Sequence, residues 1–324
     1  MIDKTHFGKR VGVQRRRLGI TQTELADRLG VTPQAVSKWE RGTALPDVET
    51  LLALSHLFGR SVNALLEDSD PMADMGIGGE LRNGVRDFTA GYDLSEYDSF
   101  VRLISREKLV EKSWKAASLP GHPFAETGIR IAERGGLILE IGAGPGGGFM
   151  PHILHADPDA SVIISDLLPG VAAEWKRFLD AEIGSPDLWY AACDFTDLPF
   201  PAEVFDTVSD GGGIANTIGD RQKALREAYR VLKPGGALVT YGVFVTAEAR
   251  DSLPEPARTI LVHNFPDAFC DLYEETVLAG FRRIDSEIIE GKDTDRDDSG
   301  FAALCRELGV NVRFTACVRT CRKT

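Results

Sequence analysis

Three glycines and four acids hold the chemistry of this chain. Gly142, Gly144 and Gly146 alternate within LILEIGAGPGGG, residues 137–148. There the missing Cβ atoms let the backbone turn tightly and bring its N–H groups onto a ligand. Glu140 stands just before them. Asp166 follows twenty residues past Gly146 at the end of an apolar run, where a carboxylate can accept from both hydroxyls of a ribose. Asp194 opens DFTDLPF within reach of an adenine edge, and Asp210 with Gly211, in VSDGGG, closes the mouth of the same crevice. A nucleoside-bearing ligand is the expectation.

The elements that must position them alternate as strand and helix. Strands are expected at residues 137–141, 161–165, 188–192, 204–209, 237–245, 281–289 and 312–319. A helix at 221–232 ends in Lys233-Pro234-Gly235-Gly236, a basic last turn followed by a proline and two glycines. That order implies a parallel, doubly wound sheet. Residues 94–115 carry helical spacing and are expected to lie over the site as a lid, and 124–134 reads as the helix that leads into the first strand.

The N-terminal part is all-α. Thr21 with Glu24 forms a capping box, Gly30 ends that helix, and Thr32 with Pro33 opens the next, which stops at Gly42. Two short helices joined by a tight turn make a helix-turn-helix, with further helices at 47–58 and 61–66. Residues 70–93, rich in Gly, Asp and Pro, read as a linker between a domain at 1–69 and one at 94–324.

These residues carry two resemblances. Residues 7–66 resemble the phage-repressor, or xenobiotic-response-element, family of DNA-binding domains through Gln22, Glu24, Leu25, Ala26, Val31, Ser37, Trp39, Glu40, Arg41, Gly42, Pro46, Leu51 and Leu52. The resemblance implies that Thr32, Gln34, Ser37 and Lys38 face double-stranded DNA in the major groove. Gln22 and Arg41 would lie on phosphates, and the protein would act as a homodimer. Arg15, Arg16 and Arg17 add basic charge.

EIGAGPG, ISDLLP, CDFTDLPFPAEVFDTV and ALREAYRVLKPGGALV resemble class I S-adenosylmethionine-dependent methyltransferases of the small-molecule type. The fold implied is a Rossmann-like seven-stranded domain preceded by the small helix-turn-helix domain. The cofactor implied is S-adenosyl-L-methionine. Glu140, Gly142, Ala143, Gly144 and Gly146 would serve its methionine end, Asp166 and Leu167 the ribose, Asp194 and Phe195 the adenine, with Asp210 beside them. No catalytic base is assigned; His263, Tyr241 and Asp210 are candidates, and His122, His152 and His155 are further histidines to place. The acceptor is expected across residues 210–216. A regulator that senses cofactor or metabolite without turnover is the alternative.

Composition narrows the partners. Residues 1–66 hold ten Lys and Arg against six Asp and Glu, a balance of +4, which leaves −16 for the remainder of a chain at −12. An anionic partner suits the first part alone. A DNA methyltransferase is disfavoured, since Ser209-Asp210-Gly211-Gly212 replaces the (D/N/S)PP(Y/F) stretch and no Pro-Cys dipeptide occurs. A NAD-dependent dehydrogenase is disfavoured because LPFPAEVFD followed by LKPGG has no counterpart there. The five cysteines form no CxxC pair, so no metal is expected. No apolar run reaches the roughly 20 residues of a membrane span, so a cytoplasmic protein with no membrane partner is expected.

Overall fold

The computed structural model describes residues 4–58, 62–66, 71–183, 185, 187–215, 217, 220–269, 271–293 and 300–324. Asn216 and Cys270 lie outside them, as does Ser61 at the start of the expected fifth helix. The chain divides into two compact units, Met1–Gly78 with Leu179–Leu188, and Gly79–Phe178 with Trp189–Thr324.

In the first unit, helices Lys4–Arg17, Gln22–Leu29, Pro33–Glu40, Val48–Phe58 and Val62–Leu66 close around Phe7, Leu25, Val36, Trp39 and Leu54. Local signals set their ends. The Glu24 N–H donates to Thr21 Oγ1 at 3.2 Å, while the Thr21 N–H donates back to Glu24 Oε2 at 2.6 Å. Thr32 Oγ1 accepts from the Ala35 N–H at 3.2 Å, and Asp47 Oδ1 caps the fourth helix from the Thr50 N–H at 2.8 Å.

The second unit is built on a mixed sheet. Its strands are β1 (Glu80–Arg82), β2 (Val85–Asp87), β3 (Leu137–Ile141), β4 (Ser161–Asp166), β5 (Leu188–Ala192), β6 (Phe205–Asp210), β7 (Leu232–Phe244), β8 (Arg283–Asp293) and β9 (Arg313–Arg322). The spatial order is β1-β2-β5-β4-β3-β6-β7-β9-β8. Pairing is parallel at β2–β5, β3–β4, β3–β6 and β6–β7, and antiparallel at β1–β2, β7–β9 and β8–β9. From β3 the chain steps outward through β4 and β5 on one side, then returns to β6 and β7 on the other. The strand order reverses there, and a crevice opens at the carboxyl ends of β3, β4 and β6.

All seven expected strands are present, and two more extend the sheet. Residues 80–87, expected in a linker, form the hairpin of β1 and β2, and Val85 and Asp87 lie buried beside Tyr190 and Ala192. Its turn is Asn83-Gly84, with φ of 52° and 77°, the left-handed pair that suits a two-residue hairpin. Three-residue strands reading ELR and VRD carry no alternation that periodicity could detect. The other adjustment is at Lys233–Gly236, expected as a turn and instead taken into the start of β7, opposite a register shift between Phe205 and Thr207.

Helices Ala125–Arg134 and Met150–Ala156 pack so closely that a Cβ on Gly128 would stand 2.4 Å from His152 Cβ. Helices Ala257–Asn264 and Gly300–Glu307 contribute to a separate apolar cluster around Leu261, Phe301 and Cys305. Among the described residues no helix is long and apolar enough to cross a membrane.

Candidate functional site: a glycine loop held by strand-end acids

The loop after β3 is anchored from below. Glu140 is fully buried; its Oε2 accepts from Ser209 Oγ at 2.5 Å and its Oε1 from the Phe149 N–H at 3.3 Å. Burial pushes this carboxyl well above the usual carboxylate range; hydrogen bonding from Ser209 opposes the shift, and the charge of Asp210 adds to it. Two glycines leave the room: a Cβ on Gly148 would stand 1.9 Å from Glu140 Oε1, and one on Gly211 would stand 2.4 Å from Gly148 Cα. The side chain expected at the methionine end therefore ties β3, the loop and the end of β6 together.

Asp166 holds the upper part of the same loop. Its Oδ2 accepts from the Gly144 N–H at 2.8 Å and its Oδ1 from the Leu168 N–H at 2.9 Å, with burial raising its pKa. The Ala143 N–H donates to the Ser165 carbonyl at 2.9 Å, and Leu167 lies between these anchors. Trp175, buried, donates its Nε1–H to the Gly144 carbonyl at 2.7 Å, and its ring comes within 2.6 Å of where a Gly147 Cβ would stand. Above the loop the space is open. A Cβ on Gly144 would meet nothing nearer than 4.0 Å, and one on Gly146 nothing within 4 Å. That open space, with a second lone pair left on each Asp166 oxygen, fits a ligand of S-adenosylmethionine's chemistry.

The next strand end carries Asp194 and Phe195. Asp194 Oδ1 accepts from the Thr196 N–H at 2.8 Å, and its Oδ2 from the hydroxyl of Tyr92 at 3.3 Å. The Phe195 ring reaches within 3.3 Å of a Gly142 Cβ position. Gly142, Ala143, Gly144, Gly146, Asp166, Leu167, Asp194 and Phe195 thus gather at the carboxyl ends of β3, β4 and β5. The lid expected at 94–115 is a short 3-10 turn, Ser95–Tyr97, with helices Asp98–Glu107 and Leu109–Ala117. Its Val101 packs against Gly170, where a Cβ would stand only 2.4 Å from Val101 Cγ1.

Across the crevice Asp210 is also engaged. Thr240 Oγ1 donates to its Oδ2 at 2.6 Å, and the Gly212 and Ile214 N–H groups donate to its Oδ1 at 3.1 and 3.2 Å. Complete burial pushes its pKa up to about 6, against those hydrogen bonds. Beside it lies an aromatic cluster. Phe124 meets Phe149 at 4.6 Å and the ring edge of Tyr241 at 4.9 Å, while His122 and His152 lie 4.3 Å apart. Burial lowers both histidines, His152 to about 4, so both rings are neutral at pH 7. His122 Nδ1 accepts from the Phe124 N–H at 3.2 Å, which leaves its proton on Nε2. His155 stacks on Trp114 at 4.0 Å, and His263 is exposed on helix Ala257–Asn264.

The groups that sequence reasoning missed are Ser209, Thr240, Trp175, Phe149 and Tyr92, each of which bonds a motif residue. Ser209 and Thr240 sit one position from a motif acid, or across the ladder from it, and that adjacency is the only signal the sequence offers for them.

In the helix-turn-helix, Thr32, Gln34, Lys38 and Arg41 are exposed and Ser37 is half-buried. Gln22, expected on a phosphate, donates its Nε2–H to Glu40 Oε2 at 2.8 Å. Arg15 grips the same carboxylate at 2.6 and 3.1 Å and also donates to the Ile20 carbonyl at 2.7 Å. Of the three consecutive arginines, Arg15 is therefore an internal brace.

Comparison with known proteins agrees with this division. The family described as Helix-turn-helix matches residues 14–65, and that described as Methyltransferase domain matches residues 139–240. The HTH-type transcriptional regulator YonR, SPβ prophage-derived, of Bacillus subtilis is 37% identical over 87 residues, covering 27% of this chain and 78% of its own. The ubiquinone/menaquinone biosynthesis C-methyltransferase UbiE of Bordetella parapertussis is 32% identical over 146 residues, 45% of this chain and 51% of its own. The demethylmenaquinone methyltransferase of Renibacterium salmoninarum is 35% identical over 116 residues, 34% and 45% of the two chains. This chain spans about half the length of those curated methyltransferases. Among solved structures, YcgJ of Bacillus subtilis aligns at a TM-score of 0.44 and 17% identity over 62% of this chain and 97% of its own. The chain thus belongs to the helix-turn-helix family through its N-terminal part, and over residues 139–240, on the sheet and its glycine loop, it carries a methyltransferase domain.

Proposed function

We propose that this protein methylates a small-molecule acceptor and binds double-stranded DNA, as a homodimer, through Thr32, Gln34, Ser37 and Lys38, with Arg41 on phosphate. The observation that carries the reading is the open space over Gly144 and Gly146, with Asp166 bonded to that loop and Asp194 and Phe195 at the neighbouring strand end. S-adenosylmethionine supplies a methyl group already activated on a sulfonium. The chain's residues then need to orient the acceptor and exclude water, which alone can supply effective molarities of about 10⁵ M or more. The glycine loop from Gly142 to Gly146 lies against the methionine end, and Asp166 and Asp194 hold the adenosine.

Purified protein with methyl-labelled cofactor and a panel of phenols, amines, thiols and metalloids should yield one labelled product class. Fusion to a DNA-binding domain favours a second reading, a cofactor or metabolite sensor. Operator binding with no labelled product from any acceptor would establish that reading instead. Asp166→Ala should weaken S-adenosylhomocysteine binding about tenfold or more, at roughly 1.5–3 kcal/mol for a hydrogen bond to a charged group. Unchanged affinity would refute the ribose assignment.

A further inference from the structure

A groove of about 670 Å³ opens between helix Ala125–Arg134 and the strands β6, β7, β8 and β9. It is not the crevice described above. Its floor, Thr207 and Val239, lies in the strand interiors, with Thr207 three residues before Asp210, about 10 Å along the strand. At this volume it is the size of a small-molecule pocket.

The groove's charges have an uncommon arrangement. Arg134 and Arg322 line one part of it, and Arg322 lies opposite Ala237 near the start of β7. The two guanidiniums stand close enough that, after burial itself, the charge of Arg322 is what most lowers the Arg134 pKa, with Asp206 pulling the other way. Glu133 and Asp285 line the groove as well. Asp285 lies opposite Thr320, one diagonal step from Arg322, a separation of about 7 Å. Among the described residues none of these four forms an ion pair. Arg134 donates to the Gly235 carbonyl, and the groove's charged pair is Arg130 with Glu287, at 2.7 Å. Two cations and two carboxylates thus share one concavity without closing on each other, over an apolar base of Ile131, Val239 and Val318.

We infer that this groove is a second small-molecule site, for a zwitterion whose anionic group meets Arg134 and Arg322 and whose ammonium meets Asp285 and Glu133. The acids repel a polyanion such as a nucleic-acid backbone, and the arginines repel a simple cation, so a ligand carrying both charges is selected. The site lies away from the carboxyl ends of the strands, so it fills independently of the cofactor crevice.

The probe is 5-aminopentanoate, a flexible chain with one charge at each end, with pentanoate and pentylamine as single-charge controls in ligand-observed NMR on the full chain. Saturable binding is expected, about fivefold or more tighter than either control, and unchanged by saturating S-adenosylhomocysteine. Arg322→Gln should weaken it by a similar factor while Arg322→Lys retains it, and Asp285→Asn should erase the preference over pentanoate; melting curves confirm that each variant folds. Absence of saturable binding, displacement by S-adenosylhomocysteine, equal affinity for pentanoate, or full binding in the Arg322→Gln variant would each overturn the assignment.

Discussion

Asp166, Asp194 and Asp210 each end a strand or follow one, and each accepts N–H groups from the backbone that leaves that strand. Burial then separates their behaviour. The Asp210 carboxyl titrates near 6 rather than at its ordinary 3.8, because its ionised form is enclosed in protein. A raised carboxyl contributes stability that is fully present below about 3.8 and is lost as pH rises through about 6, at most roughly 2–3 kcal/mol. Asp210→Asn keeps an acceptor for Gly212 and Ile214 and removes that loss, so its melting temperature relative to wild type should climb as pH is raised from about 4 to 7. His152, held down near 4, titrates in the opposite sense and is common to both proteins, while Glu140, whose upward shift the Asp210 charge adds to, changes with it, so the difference between the two melts reports the buried pair. A difference that stays flat with pH would mean that Asp210 titrates alike in the folded and unfolded chain and is not raised by burial. Trp175→Phe keeps the ring against Gly147 and removes one hydrogen bond to Gly144, about 1 kcal/mol. Calorimetry should show S-adenosylhomocysteine binding weakened by about fivefold.

At the scale of elements, the glycine loop and the loop after β6 interlock through Gly148 and Gly211. Gly148 has φ of 54°, and any side chain there runs into the Glu140 carboxylate. Gly148→Ala should therefore cost about 3 kcal/mol or more through left-handed strain and displacement of a buried acid; a chemical-denaturation midpoint equal to wild type would contradict the interlock. The seven long strands, both capped helices of the helix-turn-helix and the positions of Asp166 and Asp194 were legible because each rests on local chemistry: an apolar run, a cap, an acid at a strand end. What escaped was tertiary. The hairpin at 80–87 is too short for alternation to register, although Asn83-Gly84 was its visible mark. The inward turn of Glu140 depends on Ser209, 69 residues away in the chain, and on two glycines whose role is only space.

Across the whole molecule, the excess of basic charge lies in residues 1–66, and the glycine loop with its acids lies on the sheet. Lys38→Ala should weaken operator binding in a gel-shift titration and leave S-adenosylhomocysteine affinity intact, while Asp166→Ala should do the reverse; loss of both functions in either variant would show that the two are coupled. The bidentate grip of Arg15 on Glu40, with Gln22 on the same carboxylate, bears on how this protein responds to salt. A guanidinium neutralised internally displaces no counterion from a duplex. The slope of log affinity against log salt is then set by Lys38, Arg41 and whichever other cations reach phosphate, at about 0.9 per contact. Arg15→Gln should lower the melting temperature and leave that slope untouched, so that the first of three consecutive arginines contributes to the rigidity of the helix-turn-helix rather than to its electrostatic reach.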